Sequence, residues 1–293
     1  MTKKHVFVFG LNEFNRNKLK TIRHADRYEF HSLLDIDEIK DARQYAFQEL
    51  LDKAEHTLRV FGGPVDAIVN FWDFPASVIQ PILCRRRGLP APSLQSVVRT
   101  TNKYWSRIEQ QKVIPGHVPR FALFHPWDEK ALSKIDLAYP FWIKPVQSYS
   151  GYLGFRVNSA QNFQRHVRVI RDNIARYAEP FAELLRYLEL PAELGFLDGS
   201  YCIAEEIISG KQCTVEGFVH GGEVQTYGII DSYRFPNKVS FSRYEYPSRL
   251  HRSVQRRIEE ISIAVMGHMG FDQSAFNIEY FYDRRRDRLQ LLE

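Results

Sequence analysis

Cysteine is scarce in this chain. Only Cys84, Cys202 and Cys213 occur among 293 residues, an odd number with no C-x-x-C spacing. That excludes a disulfide framework and a zinc-ribbon type of metal site. Long apolar runs are also missing. The opening MTKKHVFVFGLNEF carries two lysines, but its apolar run of about five residues is too short for a signal-peptide core. No stretch approaches the ~20 apolar residues of a membrane helix. The expectation is therefore a cytoplasmic protein without a membrane partner. Neither sign of charge dominates, with 40 Lys+Arg against 35 Asp+Glu and a formal net charge of +5. The mild excess suits an anionic ligand such as a nucleotide, while the concentrated basic stripe and reader motifs of nucleic-acid binding are absent. Internal repeats and low-complexity tracts are absent too.

Two glycine signatures are also lacking. After the first apolar strand only Gly10 precedes Leu11–Asn12, so G-x-G-x-x-G is missing and the backbone there cannot approach a pyrophosphate closely. G-x-x-x-x-G-K-[ST] is missing from the whole chain.

What is present is ordinary globular material, 44% hydrophobic and 26% charged, enough for two or three packed lobes. Strands are expected at His5–Gly10, Tyr28–Leu34 and Ala67–Phe71. Helices are expected at Asn17–His24, Asp41–Val60 and Pro75–Arg87, the last stopped by Gly88. This alternation predicts a small parallel α/β lobe over residues 1–95. Beyond GLPAP (Gly88–Pro92) the order changes. A helix at Thr101–Lys112 precedes strands at Arg120–Phe124, Phe141–Lys144 and Gly154–Asn158. A helical stretch at Gln161–Leu190 comes next, with period-3.6 apolar positions from Phe163 to Phe181. Strands follow at Tyr201–Ile208, Val215–His220 and Val224–Ile230, then a helix at Ser253–Gly267. A closing hairpin joins Phe276–Tyr282 to Leu289–Glu293. The fold class is α/β, turning α+β in the C-terminal part.

Three segments carry chemistry. In AFNIEYFY, alternation puts Asn277, Glu279 and Phe281 on one face. With Asp283–Asp287 as the loop, Asn277 pairs with Glu293, and Glu293 falls on the Glu279 face one diagonal step away. Two carboxylates and an amide there suit a hard cation such as Mg²⁺, although the same spacing also describes a solvated edge strand. In YPFWIKPVQSYSGYLG, Lys144 ends an aromatic strand ahead of a Ser/Gly loop, where one cation and several N–H groups can surround phosphates. In AEEIISG and QCTVEG, strand backbone can read a base edge while a carboxylate reaches ribose hydroxyls. Each segment alone is better explained as an ordinary strand or surface loop. The triple arginine at 284–286 reads as a solvated hairpin tip, and that at 85–87 as a helix end.

Taken in order, from about Leu89 to the end, these segments resemble the ATP-grasp superfamily. Within it they are similar to the carboxylate–amine ligases, including relatives of biotin carboxylase and carbamoyl phosphate synthetase. The resemblance implies a pre-ATP-grasp domain at 1–95 and an ATP-grasp domain at 96–293, with a lid at about 125–210. It places Lys103 and Lys144 as the two nucleotide lysines, with Asn102 standing where the family has aspartate. Ser148, Ser150 and Gly151 fall in the phosphate flap, which has fewer glycines than usual. Glu205, Glu206 and Ile207 fall at the adenine hinge, and Glu216 near the ribose or catalytic centre. Glu279 and Glu293 become the metal ligands, with Asn277 as a further candidate. Lys238 and Arg243, in the aromatic-basic segment Tyr233–Arg249, become candidates for substrate or γ-phosphate contacts. The implied cofactors are ATP and Mg²⁺, for which Mn²⁺ can substitute, and the implied partners are a small carboxylate and an amine. The implied reaction activates the carboxylate as an acyl phosphate for attack by the amine. The alternative is a catalytically inactive nucleotide-binding module of the same fold. The family continues beyond the last glutamate with asparagine and then arginine, so a chain cut short at Glu293 is expected.

Overall fold

The computed structural model describes residues 2–40, 45–235 and 240–293. In chain order the strands and helices begin with β1 (Lys4–Phe9), α1 (Glu13–Leu19), β2 (Tyr28–Leu33), α2 (Ile36–Ile39), α3 (Phe47–Val60), β3 (Ala67–Val69) and α4 (Ala76–Arg87). Next come α5 (Leu94–Thr101), α6 (Lys103–Val113), β4 (Phe121–Phe124), α7 (Ala131–Lys134), β5 (Phe141–Pro145), β6 (Phe155–Val157), α8 (Ala160–Asn173) and α9 (Ala175–Leu184). The last are β7 (Cys202–Glu206), β8 (Lys211–His220), β9 (Glu223–Arg234), β10 (Phe241–Glu245), α10 (Arg252–Met269), β11 (Ser274–Asp283) and β12 (Arg288–Leu291). The class is mixed α/β, with one parallel sheet and two antiparallel ones.

Two compact units result: residues 1–98 with 147–150 and 173–200, and residues 99–146 with 151–172 and 201–293. The first holds the parallel sheet β2-β1-β3. Alternation along β1 splits its side chains. Val6 and Val8 form a small core with Leu11, while Phe7 stacks on His31 of β2 at 4.8 Å on the other side. Helix α1 starts earlier than the sequence suggests, because the Asn12 side chain accepts the Asn15 N–H at 2.9 Å and caps it. Helix α3 begins at Phe47; residues 41–44 of the helix expected at Asp41–Val60 lie outside the described residues.

The second unit holds the sheets β4-β7-β5-β6 and β10-β9-β8-β11-β12. Helix α10 covers one face of the five-stranded sheet. Val254, Ile258, Ile261, Val265, Met266 and Met269 pack on Cys213, Val215, Ile229, Ile278, Tyr280 and Leu291. Each such side chain contributes about 1.5–3 kcal/mol when fully buried. Tyr280 is wholly buried, and its hydroxyl shares a 2.8 Å hydrogen bond with Ser262, which satisfies the one polar atom there. Because α10 takes the Tyr280 side, Glu279 and its neighbours are left on the open face.

Three expectations change. The helix expected at Thr101–Lys112 is α6, which starts at Lys103 because Asn102, extended at φ −75° and ψ 113°, caps it; a separate helix, α5, precedes it. Helix α10 runs through Gly267 and stops at Gly270, which sits in the left-handed region at φ +63°. The apolar stripe from Phe163 to Phe181 spans two helices, α8 and α9. One further strand, β10, pairs with β9 at the sheet edge.

Candidate functional site

The site is built by α6, the four-stranded sheet and the open face of the five-stranded sheet, all within the second unit. Asn102 is fully buried and caps α6 by accepting the Trp105 N–H at 3.1 Å. The cap sets the first helical residue, Lys103, whose own N–H donates to the Val146 carbonyl just past β5. One helical turn later Arg107 projects from the same face. Its Nε donates to Glu205 on β7 at 2.7 Å, and another guanidinium nitrogen donates to the Leu292 carbonyl at 2.5 Å. Lys144 on β5 reaches the other Glu205 oxygen at 2.8 Å. The Arg107 and Glu205 side chains are only 4% and 6% exposed. Burial opposes ionisation of Glu205, but the charges of Arg107 and Lys144 outweigh it and hold the carboxyl at about 2. Glu205 therefore stays ionised and fixes both cations.

On the five-stranded sheet, register places Glu279 opposite Thr214, Asn277 opposite Glu216 and Phe281 opposite Gln212. Gln212 donates to Glu279 at 3.0 Å and accepts from Arg234 at 2.7 Å, so a cation, an amide and a carboxylate form a chain across β9, β8 and β11. Glu279 is pushed up, first by burial and then by the charge of Glu293, with Arg234 and Lys144 opposing. Desolvation raises Glu293, but Lys103 and Lys144 hold it down, and its side chain stays 50% exposed. The Lys103–Glu293 ion pair measures 2.6 Å, with Lys103 only 7% exposed. Burial lowers Lys103, and Glu293 acts against that.

The closing hairpin reaches this arrangement by a route the sequence does not predict. Asp283 pairs with Arg288 and Tyr282 with Leu289, one residue off the expected register. The Asp283 carboxylate accepts the Arg285 and Arg286 N–H groups, which tightens the loop to residues 284–287. That register alone would turn Glu293 away from Glu279. A bulge turns it back: the Glu279 N–H donates to the Glu293 carbonyl while its carbonyl accepts the Leu292 N–H, both at 2.7 Å. Two residues thus stand opposite one, and the two carboxylates meet on one face.

Lys103, Lys144, Glu205, Glu279 and Glu293 are thus brought together, with Asn277 exposed and Glu216 half-buried along the same β8–β11 face. Burial raises the Glu216 carboxyl. Glu206 ends β7, where its carboxylate accepts the Arg120 N–H at 3.4 Å and lies 3.7 Å from Arg288. Ile207 follows, half-buried, where the chain leaves the sheet. Gly210, at φ +131°, lets the β7–β8 turn pass against β11, where a side chain would collide with the Tyr282 carbonyl. Ser148 is buried, and Ser150 and Gly151 both have positive φ, 54° and 71°. Ser148 and Ser150 belong to the first unit and Gly151 to the second. Arg243 is not brought to the cluster. It pairs with Tyr233, whose face is opposite that of Gln212 and Glu279, and it binds Glu245 at 2.9 Å. The β9–β10 register step between Phe241 and Arg243 sets that side. Lys238 lies outside the described residues.

Arg107, Gln212 and Arg234 were not singled out in the sequence. The signals were there: Arg107 is four residues from Lys103 on one helix, and Gln212 alternates with Thr214 and Glu216 along β8.

A divalent cation fits these donors. Two carboxylates lie close enough for one to be raised partly by the other's charge, and oxygen-only ligands of this kind are what Mg²⁺ selects.

Comparison with known proteins bears on the family and the fold. The sequence signature described as the ATP-grasp domain matches residues 137–293, more than half of the chain. A search of curated proteins gave no match. Among solved structures, L-amino acid ligase from Bacillus licheniformis superposes with a TM-score of 0.68 at 17% identity, covering 100% of this chain and 66% of that one. An ADP complex of N5-carboxyaminoimidazole ribonucleotide synthetase gives 0.70 at 12%, covering 100% and 70%. Biotin carboxylase from Campylobacter jejuni, in a β,γ-ATP complex, gives 0.69 at 14%, covering 98% and 64%. The chain thus spans about two thirds of the length of these three proteins, and the likeness is one of fold. On its own sequence signature, the chain belongs to the ATP-grasp family.

Proposed function

We propose that the chain is an ATP-dependent ligase that joins a carboxylate to an amine. The observation supporting this most directly is the convergence of Lys103 and Lys144 with Glu279 and Glu293 between two antiparallel sheets. Two cations of fixed position can hold the phosphates of ATP, and the backbone at Ile207, just past the end of β7, can meet the base. Glu279 and Glu293, with Asn277 beside them, would hold Mg²⁺, which supplies charge neutralisation at the phosphates. Lys103 then exchanges its partner, Glu293, for a phosphate oxygen. Glu205 keeps Lys144 aimed throughout.

In the reaction, a substrate carboxylate oxygen attacks the γ-phosphorus. The bond from that phosphorus to the β–γ bridging oxygen breaks, and ADP departs. The amine nitrogen then attacks the acyl carbon, loses a proton, and inorganic phosphate leaves with the former carboxylate oxygen. The chain's contribution is position and charge: a lysine held by a buried partner, as Lys144 is by Glu205, costs no reorganisation at the moment of transfer. Of the flap expected at Ser148–Gly154, the part in the same unit as the site, Gly151–Gly154, is proposed to keep water from the acyl phosphate.

The test is phosphate release from ATP over a panel of paired carboxylates and amines. Release that requires both partners, and yields an amide by mass spectrometry, is the expected result. A second reading, a nucleotide-binding module without turnover, is favoured by one observation: Lys103 already neutralises Glu293. Tight Mg·ATP binding with no phosphate released by any pair would select it.

A further inference from the structure

In the first unit, three side chains outside this cluster share one face of the parallel sheet. Register pairs His5 of β1 with Glu29 of β2, and Phe7 with His31, so His5, Glu29 and His31 project from the same side. The His5 Nδ1 lies 2.9 Å from the His31 Nε2 and 3.9 Å from the nearer Glu29 oxygen. All three potential ligand atoms fall within 4.8 Å of one another.

We propose that His5, Glu29 and His31 form a binding site for a borderline transition-metal ion of the Zn²⁺ type, clamping β1 to β2. The proposal does not rest on the nucleotide reading. Metal–ligand bonds of about 2.0–2.2 Å in a tetrahedron put neighbouring ligand atoms roughly 3.3–3.5 Å apart. The two measured separations bracket that spacing. The imidazoles need to part by only a few tenths of an ångström, and Glu29, 54% exposed, is free to swing inward. Two imidazoles and one carboxylate favour Zn²⁺-like ions over Mg²⁺ or Ca²⁺, which prefer oxygen, and leave a fourth position to solvent.

The surroundings support a site already held in shape. The Phe61 ring lies 5.1 Å from the His5 ring and 4.7 Å from that of His31, and Phe7 stacks on His31. This aromatic wall fixes both imidazoles and keeps solvent to one side. Burial lowers His31; His5 and Arg16 add to this and Glu29 opposes it. The Asp66 carboxylate is committed to Lys4 and to the His5 backbone N–H. The Arg16 guanidinium is committed to the Phe30 carbonyl. The simpler account, a hydrogen-bonded histidine pair, explains the 2.9 Å contact but gives Glu29 nothing to do.

The experiment titrates Zn²⁺ into the full chain after EDTA treatment, against a chromophoric chelator and with excess Mg²⁺ covering oxygen-rich sites. One Zn²⁺ equivalent is expected. His5→Gln and His31→Gln should each weaken it at least about tenfold, and Glu29→Gln by about tenfold, with Glu279→Ala unchanged. Circular dichroism checks that each variant folds. Should the histidine variants unfold, Glu29→Gln decides alone, since an exposed side chain cannot carry the fold. Absence of an equivalent, or titrations identical in the parent and Glu29→Gln, overturns the proposal.

Discussion

Replacing Glu205 by glutamine removes the one charge on which Arg107 and Lys144 both depend. The magnitude follows from its ionisation. An ordinary glutamate near 4.5 held at about 2 in the fold is displaced by roughly 2.5 units. At about 1.4 kcal/mol per unit, the charged form stabilises the native state by on the order of 3 kcal/mol. Loss of one partner from a buried ion pair independently suggests about 3–5 kcal/mol. The sign is that of a depressed carboxyl: the contribution is complete above about 4.5 and is lost as pH falls toward about 2. Urea unfolding of the parent and Glu205→Gln at pH 7, 4 and 2.5 reads it directly. The expected gap is about 3 kcal/mol at pH 7, shrinking steadily with acid. A gap under about 1 kcal/mol at pH 7, or one that stays constant with pH, would refute this account of how the lysine is held.

Three further outcomes follow from the same contacts. Glu279→Gln should relieve burial and repulsion by Glu293, raising apo stability by roughly 1 kcal/mol or less while sharply increasing the Mg²⁺ concentration needed for ATP binding, read by thermal shift with and without Mg·ATP. Gly210→Ala should lower stability by at least about 1–3 kcal/mol in urea, because a Cβ there meets the Tyr282 backbone and φ is +131°. Asn102→Ala should cost about 1 kcal/mol through the lost cap of α6, whereas Asn102→Asp, whose carboxylate can still cap, should cost less.

Much of the fold was legible because period and punctuation are local. Alternation in AFNIEYFY fixed the face that carries Glu279, since apolar Phe276, Ile278 and Tyr280 could only turn toward α10. Gly88 stops α4 at φ +65° as its position suggested. Where tertiary partners decide, the sequence was silent or misleading. Helix α5 ahead of Asn102 was not expected, and the start of α6 is set by the capping contact of Asn102 with Trp105. The meeting of Glu279 with Glu293 was anticipated through the wrong register: the Asp283 turn shifts the pairing once and the Leu292–Glu293 bulge shifts it again. Glu205 shows the same limit. Its place in AEEIISG marks the segment, but its grip on Arg107 and Lys144 depends on residues 98 and 61 positions away, which no local pattern encodes.

The central claim is that ATP with Mg²⁺ binds between the two antiparallel sheets, on Lys144 and the paired carboxylates. Isothermal titration of Mg·ATP into the parent, Lys144→Met and a Glu279→Gln/Glu293→Gln double variant measures this most directly. The account predicts saturable 1:1 binding that needs Mg²⁺ and weakens at least about tenfold in each variant, about 1.4 kcal/mol. Binding that is absent from the folded parent, or equally tight in all three proteins, would contradict it.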